Sequence, residues 1–193
     1  MGESFKAGVV KHVLIGVVLT GVMGVQSAIA ETAWSGDFLA ICGASRNDFR
    51  GAIEKAKALG YAEVPVPNPG KMTYAVQMFR ETKDGRPLRL IVAESMETVG
   101  TKRWKFSNCA LGTRPTVSDW TAIASWAGVA PDKTGPTKAN YVFHEKGGRF
   151  VSLAGASEAD FQKAAATSRV WMLEILTEDD LTDATLSYGA PVL

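Results

Sequence analysis

Two cysteines, Cys42 and Cys109, constrain this sequence more than any other feature. The chain starts with a segment typical of exported proteins, and thiols in an oxidising compartment pair by default. We therefore expect a Cys42–Cys109 disulfide that ties an early helix to a later strand. The bond would close a long loop of the chain between the two cysteines, and closing such a loop contributes roughly 4 kcal/mol of stability.

Other roles for these cysteines fit less well. Neither belongs to a Cys-x-x-Cys motif. Cys42 is expected at a helix C-terminus, where the helix dipole raises a thiol pKa and disfavours a nucleophile. Past residue 30, two cysteines and one histidine are too few for a zinc site without carboxylates, so we expect no metal.

The first 30 residues have the pattern of a secretory signal peptide. Lys6 and Lys11 precede an apolar run at 13–25, and Ala28 and Ala30 form a small-x-small cleavage site. We expect cleavage after Ala30 and a periplasmic or secreted protein. An uncleaved N-terminal anchor is the alternative, although the run is short for a membrane span.

The remaining chain, 31–193, is electrically balanced. It carries 19 basic and 19 acidic side chains, which gives no attraction to nucleic acid or to an anionic membrane. This length is typical of one domain with a substantial core. We expect a single domain over 31–193.

Helical and strand patterns alternate along the chain. Helices are expected at 35–43, at 45–60 with Ser45 as its cap, and at 116–128 with Ser118 as its cap. Strands are expected at 72–82, 86–95, 101–111, 139–145 and 149–154. A further helix is expected at 155–166 and a last strand at 169–177. For 177–189 the acids after Thr177 favour a short helix or a turn.

The short connections between strands favour antiparallel pairing. The predicted fold class is α+β, with helices packed on a largely antiparallel sheet and one disulfide. Two helix-plus-strands halves, 31–115 and 116–193, are also suggested by the order of elements. The motif G-A-S-x-x-D-F, at 43–49 and again at 155–161, is explained better by shared capping chemistry than by duplication.

Cys109 is out of phase with the aromatic residues of its own strand. Trp104 and Phe106 alternate with Arg103 and Lys105, and Cys109 falls in step with the cations. A bulge at 107–108 would return Cys109 to the aromatic face, and we favour it. Alternatively, both faces of the sheet are covered here, and the first helix packs opposite Trp104.

Candidate catalytic groups are sparse. His144 is the only histidine after residue 30, and no G-x-S-x-G turn presents a serine to it. Glu94, Glu97 and Glu145 are candidate carboxylates for glycoside hydrolysis, with no spacing that fixes their separation. The acids at 178–183 lack the alternation of a calcium loop, and no phosphate loop occurs, so we expect no cofactor.

Basic residues on neighbouring predicted strands form a candidate binding stripe. They are Arg80, Arg89, Arg103 and Lys105. Such a stripe can meet an acidic protein or a carboxylated glycan. A solvated, charged sheet face is the alternative interpretation.

The layout resembles small secreted bacterial proteins of unknown function. The residues that carry the resemblance are F-x-x-I-C at Phe38–Cys42 and a capped helix that ends in L-G-Y at 59–61. They cover the first third of 31–193. The resemblance implies export and no particular activity. The order of elements also resembles secreted inhibitors built from tandem α/β repeats, at the level of fold alone.

The sequence therefore predicts an exported, non-catalytic envelope or secreted binding module, for example an inhibitor or accessory of another protein. Its expected partner is another envelope protein or a glycan. A carboxylate-dependent hydrolase of cell-wall or extracellular polymer is the first alternative. A purely structural periplasmic protein is the second.

Overall fold

The computed structural model describes residues 33–67, 70, 72–99 and 102–192. The predicted signal segment lies outside these residues. Helix α1 covers 33–43, and its last turn, Leu39–Gly43, is π-helical. The other described helices are α2 (Gly51–Ala58), α3 (Thr121–Ala127) and α4 (Glu158–Thr167). None of the described helices is both long and apolar enough to cross a membrane.

Nine described strands form one sheet, and every pairing in it is antiparallel. The strands are β1 (Ala62–Val64), β2 (Met72–Glu81), β3 (Pro87–Val99), β4 (Lys102–Thr113), β5 (Lys133–Thr134), β6 (Lys138–Lys146), β7 (Arg149–Ser152), β8 (Val170–Glu178) and β9 (Leu181–Pro191). Their order is β1-β2-β3-β4-β9-β8-β6-β5, and β7 also pairs with β6. The predicted α+β class is confirmed.

The expectation of a short helix or turn throughout 177–189 was wrong. Most of the segment belongs to β9, which follows a tight turn with Asp179 at a φ of 52°. Thr182, Ala184 and Leu186 alternate into the core, a period of two that outweighs the capping pattern of the acids before them.

The principal core lies between the sheet and helices α1, α2 and α3. Trp34 of α1 donates its indole N–H to the carbonyl of Leu111 in β4 at 3.0 Å. The ring of Phe49, just before α2, packs 5.4 Å from that of Tyr188 in β9. Trp126 of α3 meets Phe143 of β6 edge to face. These three helices therefore cover one face of the sheet.

The Cys42–Cys109 disulfide is present and ties α1 to β4 on this same face. Both cysteines are fully buried. The bond joins residues that are 67 positions apart in sequence. It therefore fixes the first helix to the middle of the sheet.

The favoured bulge at 107–108 is absent. The pairing of β3 with β4 runs without a shift from Leu88↔Thr113 to Val99↔Lys102. Cys109 therefore points to the helix-covered face, and Trp104 and Phe106 point to the other. Their cover is α4, because Phe161 of α4 lines one cavity together with both rings. Both faces are thus covered at this end of the sheet, which is the alternative geometry.

Of the helices α2, α3 and α4, only α4 begins at the serine cap that its sequence indicates. Ser157 caps α4, where it accepts a hydrogen bond from the backbone N–H of Asp160. Helix α2 begins at Gly51, beyond the predicted cap at Ser45. Helix α3 begins at Thr121, whose N–H donates to the Asp119 side chain, so the predicted Ser118 cap is wrong.

Candidate binding surface

The sheet face opposite α1–α3, which we call the open face, is covered at one end by α4. It also presents half-exposed apolar side chains, among them Phe79, Val151 and Met172. Backbone alternation places Phe79 on β2, Met172 on β8 and Val151 on β7 on this face. Phe79 is separated from Met172 by three strands, β3, β4 and β9, so these side chains do not form one continuous patch.

A small cavity lies on the open face beneath α4. Its volume is about 190 Å³, and apolar atoms supply almost all of its lining. We call it the apolar cavity. It is lined by Trp104, Phe106, Phe161, Val170, Met172 and Gly189.

Gly189 shapes the floor of this cavity. It pairs directly with Phe106 across β4 and β9, and a Cβ atom there would lie 2.7 Å from the Cε1 atom of Phe106. Trp104 and Phe106 stack over the bare backbone with ring centroids 6.3 Å apart. The absent side chain thus leaves room for two aromatic rings at the cavity wall.

The volume limits what the apolar cavity can hold. Pockets for drug-sized ligands are usually about 300–1,000 Å³, whereas a dry cavity of about 150 Å³ is enough for benzene. At about 190 Å³ the cavity fits one aromatic ring or one branched alkyl group. The described residues that line it offer such a group apolar and aromatic contacts.

A second, polar cleft lies on the other side of α4, next to His144. Its volume is about 520 Å³, and its lining includes Asp160, Lys163 and Ser168. The Nδ1 atom of His144 is 3.0 Å from the Oγ atom of Ser168. The structure therefore places a serine beside the one histidine of 31–193, which the sequence did not suggest.

The geometry of this pair differs from that of an activated nucleophile. The hydroxyl of Ser168 donates to the carbonyl of Ala164 at 3.0 Å, so Nδ1 of His144 is left to donate to the serine. A general base must instead accept the serine proton. The pair therefore connects β6 to the end of α4.

The structure separates the candidate carboxylates. Glu94 on β3 and Glu145 on β6 are four strand spacings apart, about 19 Å, well beyond the 5–9.5 Å of glycosidase pairs. Glu94 and Glu97 point to opposite faces of β3. Burial raises the pKa of Glu94, but hydrogen bonds from Arg50 and Lys105 outweigh this, so its pKa lies below the ordinary value.

Asp183 has an unusual environment that its position among the acids at 178–183 did not indicate. It lies on β9, and burial raises its pKa to about 6, with Arg89 opposing and Glu174 adding to the shift. Its Oδ1 atom is shielded from solvent and has no hydrogen-bond partner among the described residues. Glu174 is its diagonal neighbour on β8, which puts the Cα atoms of the two residues about 7–8 Å apart.

The other acids near the β8–β9 turn do not converge on a cation. Asp180 pairs with Arg114 at 2.9 Å, and Asp179 is in the turn itself. Within the described ranges, no three His, Cys, Asp or Glu side chains are placed to hold a metal ion.

The four basic residues of the predicted stripe do not form one surface. Arg80 is engaged in the structure, since its Nη2 lies 2.5 Å from Asp37 of α1 and its Nη1 donates to the Leu59 carbonyl. Arg89 is on the open face. Arg103 and Lys105 point away from Trp104 and Phe106, as their phase predicted, but this face is the helix-covered one. Lys105 contacts Glu94 at 3.0 Å. Whether any of the four binds a partner stays a prediction.

Comparison of the chain with protein-family models, curated proteins and solved structures gave no match.

Proposed function

We propose that this protein is an exported, non-catalytic binding module that holds a partner protein by one apolar side chain. The observation that carries the proposal is the apolar cavity beneath α4, which is ring-sized and lined by Trp104, Phe106 and Met172 among others. A buried pocket that receives one aromatic or branched anchor is the usual centre of a protein–protein interface.

The position of the cavity favours a macromolecular partner over a free metabolite. It opens on a broad antiparallel sheet, where a large molecule can approach without obstruction from α1–α3. Met172 is 38% exposed at its edge, and Phe79 and Val151 are exposed to a similar extent elsewhere on the same face. These groups can extend the contact beyond the anchor.

The disulfide supports the exported part of the proposal. A fully buried Cys42–Cys109 bond fits an oxidising compartment, where such bonds form and persist.

The first test is occupancy of the cavity by a ring. Toluene is added to protein labelled with ¹³C at the methionine methyl groups, of which Met172 lines the cavity and Met78 is in the opposite core. We expect a saturable shift of the Met172 signal and none of the Met78 signal. Val170→Phe, which fills the cavity, should abolish the shift, and an unresponsive Met172 in the parent chain would refute the cavity as a site.

The second test asks what enters the cavity. A photo-crosslinking amino acid replaces Met172 in the native exporting cell, and Leu59, exposed beyond α2, provides the matched control position. We expect a protein adduct from position 172 that Val170→Phe removes, and none from position 59. A cavity that takes toluene but yields only small-molecule adducts would reject the protein partner.

A hydrolase is the second candidate, and Asp183 favours it. A carboxyl group with a raised pKa near a second carboxylate is a feature of acid–base sites. Activity on a cell-wall or extracellular polymer that both Asp183→Asn and Glu174→Gln abolish, with the fold intact, would establish it. Activity that survives both changes would exclude this pair.

A further inference from the structure

A charged surface lies on the helix-covered face, at the end of the sheet beyond α2. Four exposed or half-exposed cations are spread along this surface, and we call them the arginine rim: Arg46, Arg50, Lys105 and Arg169. They come from the loop before α2, from β4 and from the residue before β8. Because 31–193 has no net charge, this concentration of cations is a local feature.

Aromatic rings hold three of these guanidinium groups in place. Arg50 lies over Tyr74 at 4.7 Å, Arg169 over Tyr188 at 5.0 Å and Arg46 over Phe150 at 5.4 Å, each measured to the ring centroid. Stacking limits the side-chain freedom that a guanidinium would lose on binding. The rim is therefore preorganised for ligands that accept hydrogen bonds.

The acids that face the rim leave it positive. Glu94 contacts both Arg50 and Lys105, at 3.1 and 3.0 Å, and it is only 14% exposed. Asp48 accepts from the backbone N–H of Arg50, and Glu145 lies opposite Phe150 on β6. Arg103 also faces this side, so five cations are opposed by three carboxylates.

The rim is linear. Tyr74 on β2 and Tyr188 on β9 occupy one row across the sheet, joined through Glu94 and Ser107 by direct pairing. Three strand spacings separate the two rings, a distance of about 14 Å. An extended peptide covers this distance with four or five residues.

We propose that the arginine rim binds an extended acidic segment of a protein, at a site separate from the apolar cavity. Arg50 already donates through Nη2 to Glu94, and Arg169 donates through Nη1 to the Asn47 carbonyl. Carboxylates of such a segment would pair with the guanidinium N–H groups that these contacts leave. The two surfaces are on opposite faces of one sheet. The chain can therefore hold two partners at once, which is the property of an adaptor.

The test uses fluorescein-labelled hexaglutamate and the exported, oxidised protein. We expect saturable binding by fluorescence anisotropy that weakens as sodium chloride is raised. The double variant R50Q/R169Q should lose at least tenfold in affinity. The matched control K133Q/R149Q, which removes two exposed cations from β5 and β7, should change affinity by less than twofold.

Three results would overturn the proposal. The first is absence of saturable binding at low salt, and the second is equal loss in the two double variants. The third is an oligogalacturonate of the same charge that binds at least tenfold more tightly than hexaglutamate, because the site would then suit a glycan. Unchanged toluene binding in R50Q/R169Q would show that the loss of hexaglutamate affinity is confined to the arginine rim.

Discussion

Phe106 and Gly189 are directly paired across β4 and β9, and the Phe106 ring lies against the bare Cα of the glycine. Gly189→Ala forces the ring to move, because the new Cβ would be 2.7 Å from its Cε1 atom. We expect the free energy of unfolding to fall by about 1–3 kcal/mol, the usual cost of overpacking. Urea denaturation measures it.

A glycine at an uncrowded site gives the control for this change. Gly36 is exposed within α1, and a Cβ there meets no atom within 4 Å. Gly36→Ala should leave stability unchanged or raise it by up to about 1 kcal/mol. A loss at position 36 as large as at position 189 would contradict the close approach of Phe106.

The disulfide should contribute a large part of the stability. Replacing both Cys42 and Cys109 by Ala removes a link across 67 positions, so we expect a loss of about 4 kcal/mol in urea denaturation. The parent chain after reduction should match the double variant. Two titratable thiols in the exported protein without reductant would contradict the bond.

Asp183 should make stability fall as pH rises from about 4 to 6. Burial raises its folded-state pKa from 3.8 to about 6, so across this range the folded chain holds a proton that the unfolded chain has released. We expect Asp183→Asn to raise the free energy of unfolding at pH 7 by on the order of 2 kcal/mol and to leave it unchanged at pH 4. Urea denaturation at several pH values measures the slope.

Glu174→Gln serves as the comparison for Asp183, since Glu174 adds only part of the shift. It should reduce the slope between pH 4 and 6 without removing it. A parent chain whose stability is flat over this range would show that Asp183 is not shielded from solvent.

Arg80 should prove structural. It pairs with Asp37, which also accepts a 2.6 Å hydrogen bond from Tyr61, and burial followed by this bond raises the pKa of the tyrosine. Arg80→Gln leaves the largely buried Asp37 without its cation, so we expect a loss of about 3 kcal/mol by urea denaturation. Lys57→Gln, at an exposed pair with Glu54, should change stability by less than about 0.5 kcal/mol.

Local patterns were enough to predict the strands that alternate clearly. The expected strand at 72–82 is β2 at Met72–Glu81, and the expected helix at 155–166 is α4 at Glu158–Thr167, with its Ser157 cap. Both depend on interactions within a few residues. The strand order is set by packing between distant segments, so no local pattern revealed that β9 lies between β4 and β8.

The apolar cavity was foreshadowed in the sequence by the phase of the aromatic residues in β4. The phase of Trp104 and Phe106 against Cys109 was a true indication of a sheet covered on both faces. The bulge was favoured because Asn108 tolerates the left-handed conformation that some bulges need. The cover is α4, whose Phe161 lies 55 or more positions further along the chain than either ring. Likewise, the contact of His144 with Ser168 arises only when α4 packs beside β6.

The place of β9 has a consequence for how the sheet is assembled. It is the last of the nine described strands, yet it is inserted between β4 and β8 at the centre of the sheet. Until residues 181–191 arrive, β4 and β8 each present an unpaired edge able to recruit strands from other molecules. Chains cut short before β9 should therefore aggregate as two incomplete sheets, and full-length chains should fold slowly, because their central pairing is their least local one.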